Sequence, residues 1–168
     1  MKAYLDNSVV SAIAKDDMPA ESGALMELLE ASDAGKLELV TSEVTRKEIE
    51  QLEGQHRRNV EVVYRLLKKV RFIEAQELLG FHSQWGPHGG FAWPLIEDEP
   101  VWAKLLQMGL DRTDAHHLML AIHAGCHVFL TCDEDFLSRR AEMEREFGIR
   151  VMRPSELVRE FPPPSPAT

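Results

Sequence analysis

Leu110–Phe136, LDRTDAHHLMLAIHAGCHVFLTCDEDF, is the stretch whose reading decides the fold. Asp111 has the chemistry of a helix N-cap, with Asp114 three positions into the helix. Gly125 ends that helix after Ala124. His127–Thr131 then has the length and the branched or aromatic content of a buried strand. The helix climbs roughly 16 Å from Asp114 to Gly125, at about 1.5 Å per residue. The strand covers roughly the same distance at about 3.3 Å per residue. A strand that runs back alongside the helix therefore brings Asp133 close to Asp114. Two carboxylates gathered in this way repel one another unless a cation lies between them.

On a helical wheel, Ala115, Leu118, Met119, Ala121 and Ile122 form one broad apolar arc. Asp114 falls inside that arc. The plainer account makes it a first-turn acid favoured by the helix dipole, so the rest of the chain has to decide.

Upstream, Ala3–Leu5 reads as a strand that runs into Asp6-Asn7-Ser8, after which Val9–Ala14 begins a helix capped by Ser8 or Asn7. An acid just past the carboxyl end of a central strand occupies the place where open α/β sheets bind ligands. Glu21–Asp33 is helical and Gly35 stops it. Leu37–Thr41 is a second strand, and Ser42 caps a long helix from Glu43 to about Val70. Val44, Ile49 and Leu52 share an apolar arc on that helix. Glu48 lies within the arc and Glu43 well outside it. A carboxylate in an apolar stripe is costly without a partner, which makes Glu48 the candidate ligand. Farther along, Arg57, Arg58, Arg65, Lys68, Lys69 and Arg71 form the densest basic patch of the chain, a pattern suited to a phosphate backbone.

Val70–Ala75 reads as a short strand. Residues 80–100, rich in Gly, Pro, Trp and His, read as an atypical ordered loop over one end of the sheet. Glu97–Met108 is helical and hands over to the focal stretch. Beyond it, Asp135–Phe147 reads as one helix stopped by Gly148, and Ile149–Met152 as a final strand. Pro154 and Ser155 turn the chain, Glu156–Phe161 forms a last helical turn, and residues 162–168 are a flexible tail. Strands alternating with helices indicate an α/β fold, a mostly parallel sheet covered by helices on both faces. Residues 1–161 are expected to form a single domain.

Composition narrows the chemistry. The 168 residues, 44% hydrophobic and 28% charged, suit one globular domain with a full core. No apolar run approaches the ~20 residues of a bilayer span. The N-terminal MKAYLDNSVV carries an acid where a signal peptide needs its apolar core, so the cytoplasm is the expected compartment. Cys126 and Cys132 fit neither a disulfide framework nor a zinc knuckle. A net charge of −9 argues against nonspecific coating of nucleic acid but not against a nuclease, whose clustered acids enter that sum.

Asp6, Glu48, Asp114 and Asp133, with Asp135 as a fifth, thus each stand near a strand end or helix start, at what is expected to be one end of the sheet. Oxygen-only ligands select Mg²⁺ or Mn²⁺ over zinc. Such ions, in pairs about 3.5–4 Å apart, stabilise the entering and leaving oxygens of phosphodiester hydrolysis. No covalent nucleophile stands beside a suitable base in the sequence, so water is the expected attacking group.

The pieces YLDNSVV, TSEVTRKEI, DRTDAHHLMLA, LTCDEDF and GIRVMRPSEL, in this order and spacing, resemble a PIN-domain ribonuclease of the VapC-like toxin type, from Ala3 to about Leu157. The resemblance implies a three-layer α/β/α fold and a metal-dependent endoribonuclease acting on RNA. It also implies frequent homodimers and, for a toxin, an antitoxin partner. By position it carries the four acids onto Asp6, Glu48, Asp114 and Asp133, and a supporting hydroxyl onto Thr131. Ser8 is a second supporting residue, although Asn7-Ser8 stands where the family often has Thr-Asn. The 80–100 loop is longer and more aromatic than in compact toxins.

Three other readings compete. A zinc site would draw on His116, His117, His123 and His127. His116 and His123 share a face, but one opposite the acids, and His127 lies beyond the Gly125 turn. A phosphoacceptor site after the first strand lacks a second acid two residues past Asp6. A catalytically inactive PIN-like module that binds RNA or a protein partner predicts a broken acid set, whereas all four positions are filled.

Overall fold

Ala3, Tyr4 and Leu5 are shut off from solvent, as befits a strand paired on both edges and covered on both faces. They belong to β1 (Lys2–Leu5), the centre of the sheet. The computed structural model describes residues 1–15, 18–42, 45, 70–73 and 99–161. Its other strands are β2 (Glu38–Ser42), β3 (Arg71–Ile73), β4 (Val128–Leu130) and β5 (Arg150–Met152). Its helices are α1 (Asn7–Lys15), α2 (Pro19–Asp33), α3 (Glu99–Gln107), α4 (Arg112–His123), α5 (Glu134–Ser138), α6 (Arg140–Phe147) and α7 (Pro154–Val158).

The sheet runs in the order β3-β2-β1-β4-β5 with every pairing parallel. Alternate side chains of the strands serve two cores. Ala3, Leu5, Leu39, Val128 and Leu130 pack with α1, α2 and Leu157 of α7. Tyr4, Val40, Phe129 and Val151 face the other way, against residues of α3, α4, α5 and α6. Helices therefore cover both faces, which makes this the three-layer α/β/α arrangement expected from the alternating pattern.

β1 and β4 are adjacent, with Leu5 opposite Leu130. The chain passes from β1 to β2 on one side and returns to β4 on the other. That reversal makes a topological switch point at the carboxyl ends of β1 and β4, the place where open sheets bind ligands.

Several local expectations change. Residues 135–147 form two helices, broken at Arg139, where φ is −105° and ψ is 6°. The first of them begins earlier than expected because Asp133 caps it, its Oδ1 accepting from the Asp135 amide at 2.7 Å. The last helix starts at Pro154, not Glu156: proline suits the first helical position, and Glu156 Oε2 accepts from the Arg153 amide at 2.9 Å. Burial on α4 does not follow one arc either. Ala115 to Ala121 are all buried, His116 and His117 included, because the sheet lies on one side of the helix and α3 on the other.

Glu43, Glu48, the basic residues Arg57, Arg58, Arg65, Lys68 and Lys69, residues 80–98 of the expected loop and the 162–168 tail lie outside the described residues. Among the described residues no helix is long and apolar enough to cross a membrane.

Candidate active site

Asp6 is the first residue past β1. Its amide continues the ladder onto the Leu130 carbonyl at 3.0 Å, which places its side chain beside the carboxyl end of β4. Only 5% exposed, its carboxylate needs donors, and three converge on Oδ2: Ser8 Oγ at 2.6 Å, Thr131 Oγ1 at 2.9 Å and the Ser8 amide at 3.4 Å. Each hydroxyl has one proton to give and lone pairs to receive. Ser8 Oγ accepts from the Cys132 amide at 2.9 Å, and Thr131 Oγ1 from the Asp133 amide at 3.0 Å. Two backbone amides are thus relayed through two hydroxyls onto one carboxylate oxygen. The relay fixes the rotamer of Asp6 and ties it to the turn that carries Asp133.

Asp114 enters from α4. Its amide donates to the capping carboxylate of Asp111 at 2.9 Å, as does that of Thr113 at 2.7 Å. One turn farther on, His117 Nδ1 lies 2.8 Å from Tyr4 Oη. Burial pushes the Tyr4 hydroxyl up, so it keeps its proton, and the tautomer of His117 sets which of the two atoms donates. This bond pins α4 to β1 just beneath the acids. The Asp114 carboxyl is pushed up to about 7, first by burial and then by the negative charges of Asp111, Asp133 and Asp6, with His117 opposing. Asp6, Asp114 and Asp133 therefore share one electrostatic neighbourhood.

Their side chains do not close on a single point. Among the described residues, no three His, Cys, Asp or Glu side chains stand near enough together to hold a metal ion as they are. Asp133 Oδ1 is engaged by the α5 cap. Asp135 faces outward, its side chain 75% exposed and 3.5 Å from Arg139 Nη1. The donors that do gather are carboxylate oxygens, chemistry that fits a hard divalent cation. The imidazoles are placed for other work. His116 is pushed down to about 4 by burial and by His117, and His127 Nδ1 accepts from the Lys2 amide at 3.3 Å.

Arg153 and Glu134 were not singled out in the sequence. The structure pairs Arg153 Nη2 with Glu134 Oε1, beside Asp133. Nothing local signals this contact, which joins the ends of two strands. The charge of Asp111 on Asp114, by contrast, was there to be read, since the two are three residues apart on one helix start.

No family model and no curated protein matches the chain. Among solved structures it is similar to a chain of VapBC2 from Rickettsia felis, in a crystal structure bound to a DNA fragment from the promoter. The TM-score is 0.58 at 12% identity, over 91% of this chain and 98% of that one. The fold is PIN-like. At that identity the likeness concerns architecture; the chemistry has to be argued from the acids themselves.

Proposed function

We propose that this chain is a divalent-metal-dependent endoribonuclease, using Mg²⁺ or Mn²⁺ held by Asp6, Asp114 and Asp133, with Glu48 completing the set. The observation that carries the reading is the gathering of Asp6, Asp133 and Asp114 at the carboxyl ends of β1 and β4 and the start of α4, where burial and then the charges of Asp111, Asp133 and Asp6 push the Asp114 carboxyl up to about 7. A bound divalent cation would relieve that repulsion, offset charge on the phosphate and activate water. Asp6 is presented rigidly by Ser8 and Thr131. Asp114 and Asp133 are only partly buried, so rotation of their side chains could bring them to a common ion. Asp135, turned toward Arg139, is the weakest member of the proposed set.

RNA is the proposed substrate, the basic run Arg57–Arg71, whose last member begins β3 with Nη1 3.6 Å from Glu38 Oε1, its proposed backbone contact, and a homodimer the proposed assembly in the cytoplasm. Toxicity checked by an antitoxin is the corresponding biological role, supported by the PIN-like fold and its likeness to a VapBC2 chain.

The test is incubation of purified protein with single-stranded and structured RNA in Mg²⁺, Mn²⁺ or excess EDTA. Cleavage with either ion, lost in EDTA and in Asp6→Asn, Asp114→Asn and Asp133→Asn, is expected. Cleavage undiminished by EDTA refutes the mechanism. Binding of RNA without cleavage under any of these conditions would favour a non-catalytic module.

A further inference from the structure

An acidic centre that handles an anionic polymer needs a cation of its own to hold the strand, in a chain whose net charge is −9. Arg153 is placed for that task. It follows β5 directly, and the Met152 carbonyl before it accepts from the Thr131 amide at 3.0 Å, so its backbone lies beside the turn that carries Thr131 and Asp133. That backbone is braced twice. Glu156 Oε2 accepts from the Arg153 amide at 2.9 Å. Buried Glu21 accepts from the Ser155 amide at 2.9 Å and from Ser155 Oγ at 2.7 Å, which locks the start of α7.

The Arg153 side chain is only 24% exposed, whereas that of its partner Glu134 is 77% exposed. An ion pair with so open a carboxylate contributes little to stability. Arginine binds phosphate through two parallel hydrogen bonds, a stronger arrangement. The Cys132 thiol is pushed up first by burial and then by Glu21, with Arg153 opposing and Asp6 and Glu134 adding to the rise, so Arg153 and Asp6 act on one common neighbour.

We infer that Arg153 is a substrate-binding residue that exchanges Glu134 for a phosphate of the RNA strand, with Glu134 as the carboxylate that competes for it. This rests on the ribonuclease reading. A phosphate beside the cleavage site would be gripped from the β5 edge, independently of the basic run at residues 57–71.

The experiment measures binding of a fluorescein-labelled, mixed-sequence single-stranded RNA to the full chain across a salt series, together with kcat and KM for cleavage in Mg²⁺. Arg153→Gln should weaken binding about tenfold and lower the salt slope by about 0.7, the value for one phosphate contact on a single strand. The loss should fall on KM more than on kcat, and Arg153→Lys should restore part of it. Glu134→Gln should tighten binding a few-fold in the parent and do nothing in the Arg153→Gln background, the signature of coupling. Thermal unfolding of each variant guards against a folding defect.

A parent that cuts RNA while Arg153→Gln keeps its affinity and salt slope overturns the Arg153 assignment alone. Glu134→Gln tightening equally in both backgrounds overturns the exchange, because a general charge effect would then suffice. A parent that neither binds nor cuts RNA overturns the ribonuclease reading, and Arg153 with it.

Discussion

Replacing Asp114 by Asn removes a carboxyl that titrates near 7 in the folded chain and near 3.9 in an unfolded one. Between those values the folded state holds a proton that the unfolded state has released. Stability in EDTA therefore falls as pH rises from about 4 to about 7, and below about 4 this group contributes no slope. Asp114→Asn should flatten the slope and stabilise the chelated protein near pH 8 by about 1–2 kcal/mol, discounted because the group is part-exposed. It should also abolish the rise in melting temperature on adding Mg²⁺. Urea unfolding at low and high pH checks both, and a variant clearly less stable than the parent in EDTA would show that the acids are not crowded. The hydroxyl relay gives a second outcome. Thr131→Val strands the Asp133 amide and removes a donor from buried Asp6, which should cost about 1–3 kcal/mol and slow cleavage. Thr131→Ser, which keeps the oxygen, should retain most of both.

Among the elements, α4 carries the clearest test because both its ends were legible. Gly125, at φ +67°, follows its last turn, and an added Cβ would meet nothing within 4 Å. Gly125→Ala should then cost only the strain of the left-handed backbone, about 1 kcal/mol. At the other end, Asp111 both caps the helix and repels Asp114. Asp111→Ala should destabilise through the lost cap by about 1 kcal/mol. Asp111→Asn keeps a capping oxygen while removing the charge, so in EDTA at neutral pH it should be at least as stable as the parent. An Asn variant as unstable as the Ala variant would mean that the charge, not the oxygen, does the capping. The break at Arg139 was not legible. Phe136, Leu137 and Met143 keep helical spacing across it, so no periodic signal marks where α5 stops and α6 begins.

For the molecule as a whole, the net charge of −9 has the same sign as the proposed RNA substrate, so salt dependence should separate the surfaces proposed to hold it. Replacing Arg65, Lys68 and Lys69 together by Gln should weaken binding and flatten its salt dependence by up to about 2 in slope, at about 0.7 per phosphate contact. The effect should fall on binding more than on the cleavage step. Unchanged RNA affinity with a shifted oligomer mass, by light scattering, would instead assign that face to a second subunit or an antitoxin.

Sequence alone determined the alternation of strands and helices, the Asp111 cap, the Gly125 stop and the acids at strand ends. Each of these depends on neighbours within a few residues, where capping, periodicity and backbone conformation act. It also determined that Asp6 and Asp133 end strands, but not that those strands are adjacent. Only the order β3-β2-β1-β4-β5 brings Thr131 to Asp6 across 125 positions. Only that packing buries α4 almost all round, joins Tyr4 to His117 and sets Arg153 against Glu134. Strand order is a balance among long-range contacts, each closing a long loop of chain. No short stretch of residues carries the signature of that balance, so the neighbours of each acid were decided by the tertiary structure.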